Sequence, residues 1–140
     1  MKNEVVHILL VEDHYPDIVL TRKAFERYGL KIKLHTVRNG EEALDYLNKR
    51  GAYTDAVCPD LVLLDINLPR KSGFEVLQEI RSRNCFETLP VIMLTSSASE
   101  QDMKKSYSLN ANTYLIKPCC LGEYEKLIKC VESFKSRNCK

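Results

Sequence analysis

Asp65 ends the apolar run Leu61-Val62-Leu63-Leu64 and is followed by Ile66-Asn67-Leu68-Pro69, so a carboxylate sits at the lip of a segment with the composition of a buried strand. A buried carboxylate is costly unless something nearby compensates it. Compensating groups stand at the ends of other apolar runs: Glu12 and Asp13 after Val6-His7-Ile8-Leu9-Leu10-Val11, and Lys117 after Tyr114-Leu115-Ile116. Thr95 closes a fourth run, Val91-Ile92-Met93-Leu94. If these runs are parallel strands, their C-terminal ends share the edge where open α/β sheets place ligands. Glu12, Asp13 and Asp65 then offer hard oxygen ligands, and Asn67 adds a backbone carbonyl. Such a set suits Mg²⁺, which takes few protein ligands and completes its shell with water and phosphate. Without a cation, the three acids would raise one another's pKa. With one, Asp65 can be ionised and nucleophilic towards an anionic phosphoryl group. Lys117 supplies a mobile point charge for a phosphoryl oxygen and Thr95 a hydroxyl donor, and the product of such a site is an aspartyl phosphate.

The elements that must position these residues follow from the alternation of apolar runs with amphipathic segments, which is the pattern of βα units. Strands are expected near 5–11, 33–37, 60–65, 90–95 and 112–117, and helices near 16–28, 40–50, 73–84, 99–109 and 121–135. The first, third and fourth strands are apolar without alternation, as in strands covered on both faces. Leu34-His35-Thr36-Val37 is more polar and suits a sheet edge. The fold class is therefore α/β, a doubly wound five-stranded parallel sheet of order 2-1-3-4-5. Pro16 suits the first turn of the first helix and Gly29 its left-handed stop. Asn39-Gly40-Glu41-Glu42 opens the second helix with acids at the positive end of its dipole. Gly73 gives backbone room in the turn after Asp65, and Ser72 is placed to cap the next helix. Residues 48–58 are long for an αβ connection and have room for an extra turn or a partner contact.

With 140 residues, the chain has the size of one domain able to bury a core. A net charge of +2 carries no nucleic-acid footprint, and the basic stretch from Lys126 to Lys140 reads as a solvated helix face. The longest apolar runs are far below the ~18 residues of a membrane span, and Met1-Lys2-Asn3-Glu4 does not begin a signal peptide, so a cytoplasmic protein is expected. Cys58, Cys85, Cys119, Cys120, Cys130 and Cys139 contain no C-x-x-C pair. His7, His14 and His35 are scattered along the chain, so free thiols are expected rather than a zinc site.

Glu12-Asp13, Asp65-Ile66-Asn67-Leu68-Pro69 with Gly73, Thr95-Ser96-Ser97 and Lys117-Pro118 together resemble the receiver domain of two-component response regulators. The resemblance covers about residues 5–135 and implies a flavodoxin-like receiver fold, with residues 1–140 a single receiver domain. It also implies that Asp65 accepts a phosphoryl group from a sensor histidine kinase with Mg²⁺. Lys117 and Thr95 would assist, Glu12, Asp13, Asp65 and Asn67 would hold the metal, and Ser97 and Asn67 would flank the path of hydrolytic water. Tyr114 would be a switch aromatic that swings inward with Thr95, and Lys117-Pro118 a cis peptide. The turn Asn67 to Lys71, the helix start Arg38 to Leu44 and Gly51-Ala52-Tyr53 are similar to single-domain regulators that partner bacterial phytochrome-type histidine kinases. His14 and Tyr15 stand where that family commonly has small polar residues, and Cys119-Cys120-Leu121 is unusual after Lys117-Pro118.

Other functions fit less well. A haloacid-dehalogenase-like phosphatase needs a second Asp where Asn67 stands, and carries its nucleophile on the first strand. A flavodoxin needs a hydroxyl- and Gly-rich phosphate loop where Glu12-Asp13-His14-Tyr15 would repel the ligand. A receiver-like interaction module without phosphotransfer would not require the whole set of acids, Thr95 and Lys117. Only Ser136 to Lys140 follow the last helix, so the expected output is a contact with a downstream protein. Leu121, Tyr124, Leu127, Ile128, Val131 and Phe134 form an apolar stripe. Tyr124 and Phe134 at its ends, beside Tyr107 and Tyr114, are expected to leave an aromatic patch rimmed by Lys126, Lys129 and Glu132, suited to a homodimer through the face of the fourth helix, fifth strand and fifth helix.

Overall fold

The structure, a computed structural model, describes residues 5–118 and 123–138. Five strands, β1 (Val6–Val11), β2 (Ile32–Val37), β3 (Leu61–Leu64), β4 (Val91–Thr95) and β5 (Thr113–Ile116), alternate with α1 (Tyr15–Arg27), α2 (Gly40–Leu47), α3 (Gly73–Ser82), α4 (Glu100–Ser108) and α5 (Glu125–Asn138). All strand pairs are parallel and the sheet order is β2-β1-β3-β4-β5, as the polarity of the strands predicts. The two-residue period of the strands divides the core. Leu9, Val11, Val62, Leu64, Val91 and Met93 face the layer of α2 and α3, where Ala43, Leu47, Val76, Leu77 and Ile80 are buried. Ile8, Leu10, Leu61, Leu63, Ile92 and Leu94 face α1 and α5, meeting Ile18, Phe25, Tyr124, Leu127 and Val131. Covering both faces leaves only the strand ends and the edges for chemistry.

The helix boundaries follow local chemistry. Asn39 caps α2 by accepting from the Glu42 N–H at 2.8 Å. Ser72 and Glu75 form a reciprocal capping box at α3. Gly29, at φ +69°, ends α1 as expected, with Leu30 N–H donating back to the Phe25 carbonyl. The second helix stops at Leu47 rather than residue 50, because Lys49 turns left-handed (φ 55°) and Arg50 N–H donates back to Asp45 O at 2.9 Å. The extra turn expected in the long connection is a 3₁₀ turn at Gly51–Tyr53.

Three expectations change. Tyr124 does not extend beyond the sheet: it is 1% exposed, packed onto α1 from the turn just before α5, where its hydroxyl lies 3.5 Å from Thr21 Oγ1. Tyr114 is also buried, so of the expected patch Tyr107 is the aromatic left exposed, as is the apolar Ile116 on β5, while Phe134 is half-buried. The Lys117–Pro118 peptide is trans, the isomer favoured even for a bond to proline. His7 and His35 are not scattered in space, because adjacent strands bring His7 Nδ1 within 3.0 Å of His35 Nε2. Cys58, Cys85 and Cys130 are free thiols. Leu121, Cys119, Cys120 and Cys139 lie outside the described residues.

Candidate functional site

The sheet register sets the site. Val11 pairs with Leu64, Leu64 with Met93, and Thr95 with Ile116, so Glu12, Asp65, Thr95 and Lys117 emerge along one edge. Ladder bonds continue into them: Glu12 N–H donates to Val37 O, Asp65 N–H to Val11 O, and Lys117 N–H to Thr95 O. Gly73 holds the strand end from the α3 side. A Cβ there would overlap the Asp65 carbonyl oxygen and lie 2.8 Å from Ile66 Cα, so only glycine lets α3 start this close to the end of β3.

Lys117 crosses the edge to meet the acids. Its Nζ lies 2.7 Å from Glu12 Oε1, 2.8 Å from Asp65 Oδ2 and 2.9 Å from Asp17 Oδ2. An ammonium has three N–H donors, and here each faces a carboxylate oxygen. Burial alone would lower the Lys117 pKa, but hydrogen bonds to Asp65, Glu12 and Asp17 raise it. Glu12 fares differently. Desolvation, with the charge of Asp65, pushes its carboxyl up to about 7 despite the Lys117 hydrogen bond. The two directions agree once the stoichiometry is considered: the lysine gains three anions, whereas each acid shares one cation and faces its neighbours.

The predicted residues gather unequally. Glu12, Asp65 and Lys117 are in direct contact, and Thr95 is fully buried beside them at the end of β4. Asp13 and Asn67 are exposed and line one open cleft together with Ile66, Leu68 and Ser72. The Asn67 N–H points to Asp65 Oδ1 at 3.3 Å, leaving Asp65 Oδ2 to the lysine. Among the described residues, no three His, Cys, Asp or Glu groups converge tightly enough to enclose a metal. The donor set nonetheless fits a small hard cation, which needs only one or two carboxylates plus water. Glu12 and Asp65, buried at the strand edge, and the water-accessible Asp13 supply carboxylates of that kind.

Asp17 is the residue that strand-end reasoning missed. It lies on the first turn of α1, where burial raises its pKa but Lys117 and His14 lower it further, to a net value below the ordinary carboxylate range. Its position after Pro16, one turn beyond Glu12-Asp13, was the available signal. Tyr114 is already inward, its hydroxyl donating to Ser97 O at 2.8 Å, and its N–H donates to the Tyr107 hydroxyl at 3.1 Å. Ser97 in turn donates to Asp102 Oδ2 at 2.7 Å, tying the β4–α4 loop to the start of α4.

Residues 8–131 match the model of the response regulator receiver domain. The chain belongs to that family. This receiver is 39% identical over 127 residues to the response regulator Rcp1 of Synechocystis, covering 91% of this chain and 86% of that protein. It is 40% identical over 128 residues to the probable methanogenesis regulatory protein FilR2 of Methanothrix harundinacea, covering 91% and 80%. Its fold superposes on the phosphorylated cyanobacterial phytochrome response regulator RcpA with a TM-score of 0.85 at 40% identity, covering 94% of each chain. It also matches the Mn²⁺-bound form of Rcp1, with a TM-score of 0.82 at 38% identity over 92% of this chain and 93% of that one. The receiver is thus similar, along nearly its whole length, to single-domain phytochrome response regulators, and no helix among its described residues is long and apolar enough to cross a membrane.

Proposed function

We propose that this receiver accepts a phosphoryl group from a sensor histidine kinase onto Asp65, assisted by Mg²⁺, and signals in the cytoplasm through protein contacts on the α4–β5–α5 face. The observation that carries the reading is the contact of Lys117 Nζ with both Asp65 Oδ2 and Glu12 Oε1 at the C-terminal edge of the sheet. The likeness to a phosphorylated phytochrome regulator and to a Mn²⁺-bound one supports the phosphoryl and metal assignments, and a phytochrome-type kinase as the donor.

In the transfer, an Asp65 oxygen attacks phosphorus and the bond from phosphorus to the donor's imidazole nitrogen breaks. The bonding pair leaves with the imidazole. Bound among Glu12, Asp13, Asp65 and the Asn67 carbonyl, Mg²⁺ would screen the repulsion between nucleophile and phosphoryl oxygens. Lys117 pairs with one phosphoryl oxygen and the Thr95 hydroxyl donates to another, which draws the Ser96–Glu100 loop inward. Since Tyr114 already donates to the Ser97 carbonyl, phosphorylation would hold this aromatic in the inward position rather than bring it there. Turnover of a separate substrate is not part of this role.

Incubation with acetyl phosphate and Mg²⁺, followed by intact mass measurement, tests the assignment. The wild-type chain should gain one phosphoryl group and Asp65→Asn none. An undiminished gain in Asp65→Asn places the acceptor elsewhere.

A further inference from the structure

Asp17 has no part in the metal set proposed above, yet it is one of the three anions that hold Lys117. Its carboxylate aims at the ammonium, with Oδ2 2.9 Å from Lys117 Nζ and 3.0 Å from His14 Nδ1. The turn that carries it is fixed from two sides. Asp17 N–H donates to His14 O at 3.0 Å, and Thr21 Oγ1 donates to the Asp17 carbonyl at 2.8 Å while facing the buried Tyr124 hydroxyl. The side chain is 22% exposed, so the pair is only partly screened by water.

The other two anions have competing duties. Glu12 and Asp65 must turn towards a cation, and Asp65 loses its free carboxylate when it is esterified by the phosphoryl group. Lys117 would then exchange two of its three fixed partners for an incoming phosphoryl oxygen, at the moment when its position matters most. A long, flexible ammonium side chain left with no fixed anion spreads over many rotamers.

We propose that Asp17 is a positioning residue for phosphoryl transfer, tethering the Lys117 ammonium beside the acceptor while Glu12 and Asp65 engage metal and phosphate. The proposal rests on the reading of Asp65 as acceptor. It differs from a structural role for α1 because the effect must pass through Lys117.

The test compares Asp17→Asn, nearly the same size, in the wild-type and Lys117→Met backgrounds. The rate of mass gain at saturating acetyl phosphate and Mg²⁺ is one readout. The ¹H–¹⁵N signal of the Lys117 ammonium in the Mg²⁺-saturated protein, where Glu12 and Asp65 are drawn to the cation, is the other. Losing one charged hydrogen bond should slow transfer about tenfold when Lys117 is present. It should change the rate by less than about twofold when Lys117 is already Met, since the two residues act as a unit. The ammonium signal, slowly exchanging in the wild type, should broaden beyond detection in Asp17→Asn. Equal slowing in both backgrounds, or no slowing, overturns the tether, as does an ammonium signal left unchanged. A wild-type chain that gains no phosphoryl group instead overturns the acceptor reading of Asp65, a failure the ammonium signal does not share.

Discussion

Replacing Glu12 by Gln should change how the stability of this receiver depends on pH. The Glu12 carboxyl is 3% exposed and pushed from its ordinary 4.5 to about 7, by desolvation first and by the charge of Asp65, against the pull of Lys117. The native state therefore binds this proton more tightly than the unfolded chain does. Between those two pH values the folded protein carries more protons, so unfolding free energy falls as pH rises. The stabilisation is complete below about pH 4.5 and is lost as pH passes through about 7. Each pKa unit corresponds to about 1.4 kcal/mol, so the whole swing is about 3 kcal/mol, of which about 2 to 3 falls between pH 5 and 8. Gln has no proton to lose. The difference in unfolding free energy, variant minus wild type, should therefore rise by that amount from pH 5 to pH 8. Asp17, whose pKa is shifted down, gives the opposite slope but is present in both chains and largely cancels. Urea unfolding followed by circular dichroism in chelator at several pH values measures the difference directly. A difference flat within about 1 kcal/mol, or one that falls with pH, refutes the claim that Glu12 is held against its charge. Adding Mg²⁺ at pH 8 should restore stability to the wild type and much less to Glu12→Gln, since the ion binds the ionised carboxylate.

Gly73→Ala should destabilise the fold by about 2 to 4 kcal/mol, because the new methyl overlaps the Asp65 carbonyl and forces the end of β3 to shift. It should also slow mass gain from acetyl phosphate, and an unaltered midpoint in urea with an unaltered rate would show that the turn has slack. On the proposed contact face, Tyr107 of α4 and Ile116 of β5 are exposed, so sedimentation with beryllofluoride should show a dimer that strengthens on activation. A monomer at high concentration in both states would reject self-association as the use of this face.

The parts of the molecule legible in the sequence were those encoded locally. Leu61 to Leu64 and Val91 to Leu94 are apolar throughout because both faces of β3 and β4 are covered, and that pattern needs no partner to be seen. Strand ends then place Glu12, Asp65, Thr95 and Lys117 together by topology alone. What escaped depends on which side chains meet across elements. Asp17 looks like an ordinary acid in the first turn of a helix, and only the reach of Lys117 from β5 gives it a second role. Tyr124 was expected at the end of an apolar stripe, but packing against α1 determines its burial. The His7–His35 contact is diagonal, since His7 is in register with Lys33 and His35 with Leu9, so it arises from a strand pairing absent from either segment alone.

The same contrast explains why the site is built at odds with stability. A core optimised only for folding would not place three carboxylates around one buried ammonium, because Glu12 is then left reluctant to ionise. On the proposed reading, a cation entering between Glu12, Asp13 and Asp65 would relieve that repulsion, and a phosphoryl group on Asp65 would give Lys117 a new anion. The strain in the resting site would then become part of the driving force for loading it. Neutralising Glu12 should therefore stabilise the metal-free fold above about pH 7 while weakening what the site can bind. Gly73 allows the arrangement by bringing α3 against the Asp65 backbone, and the capping box at Ser72 and Glu75 fixes the start of that helix.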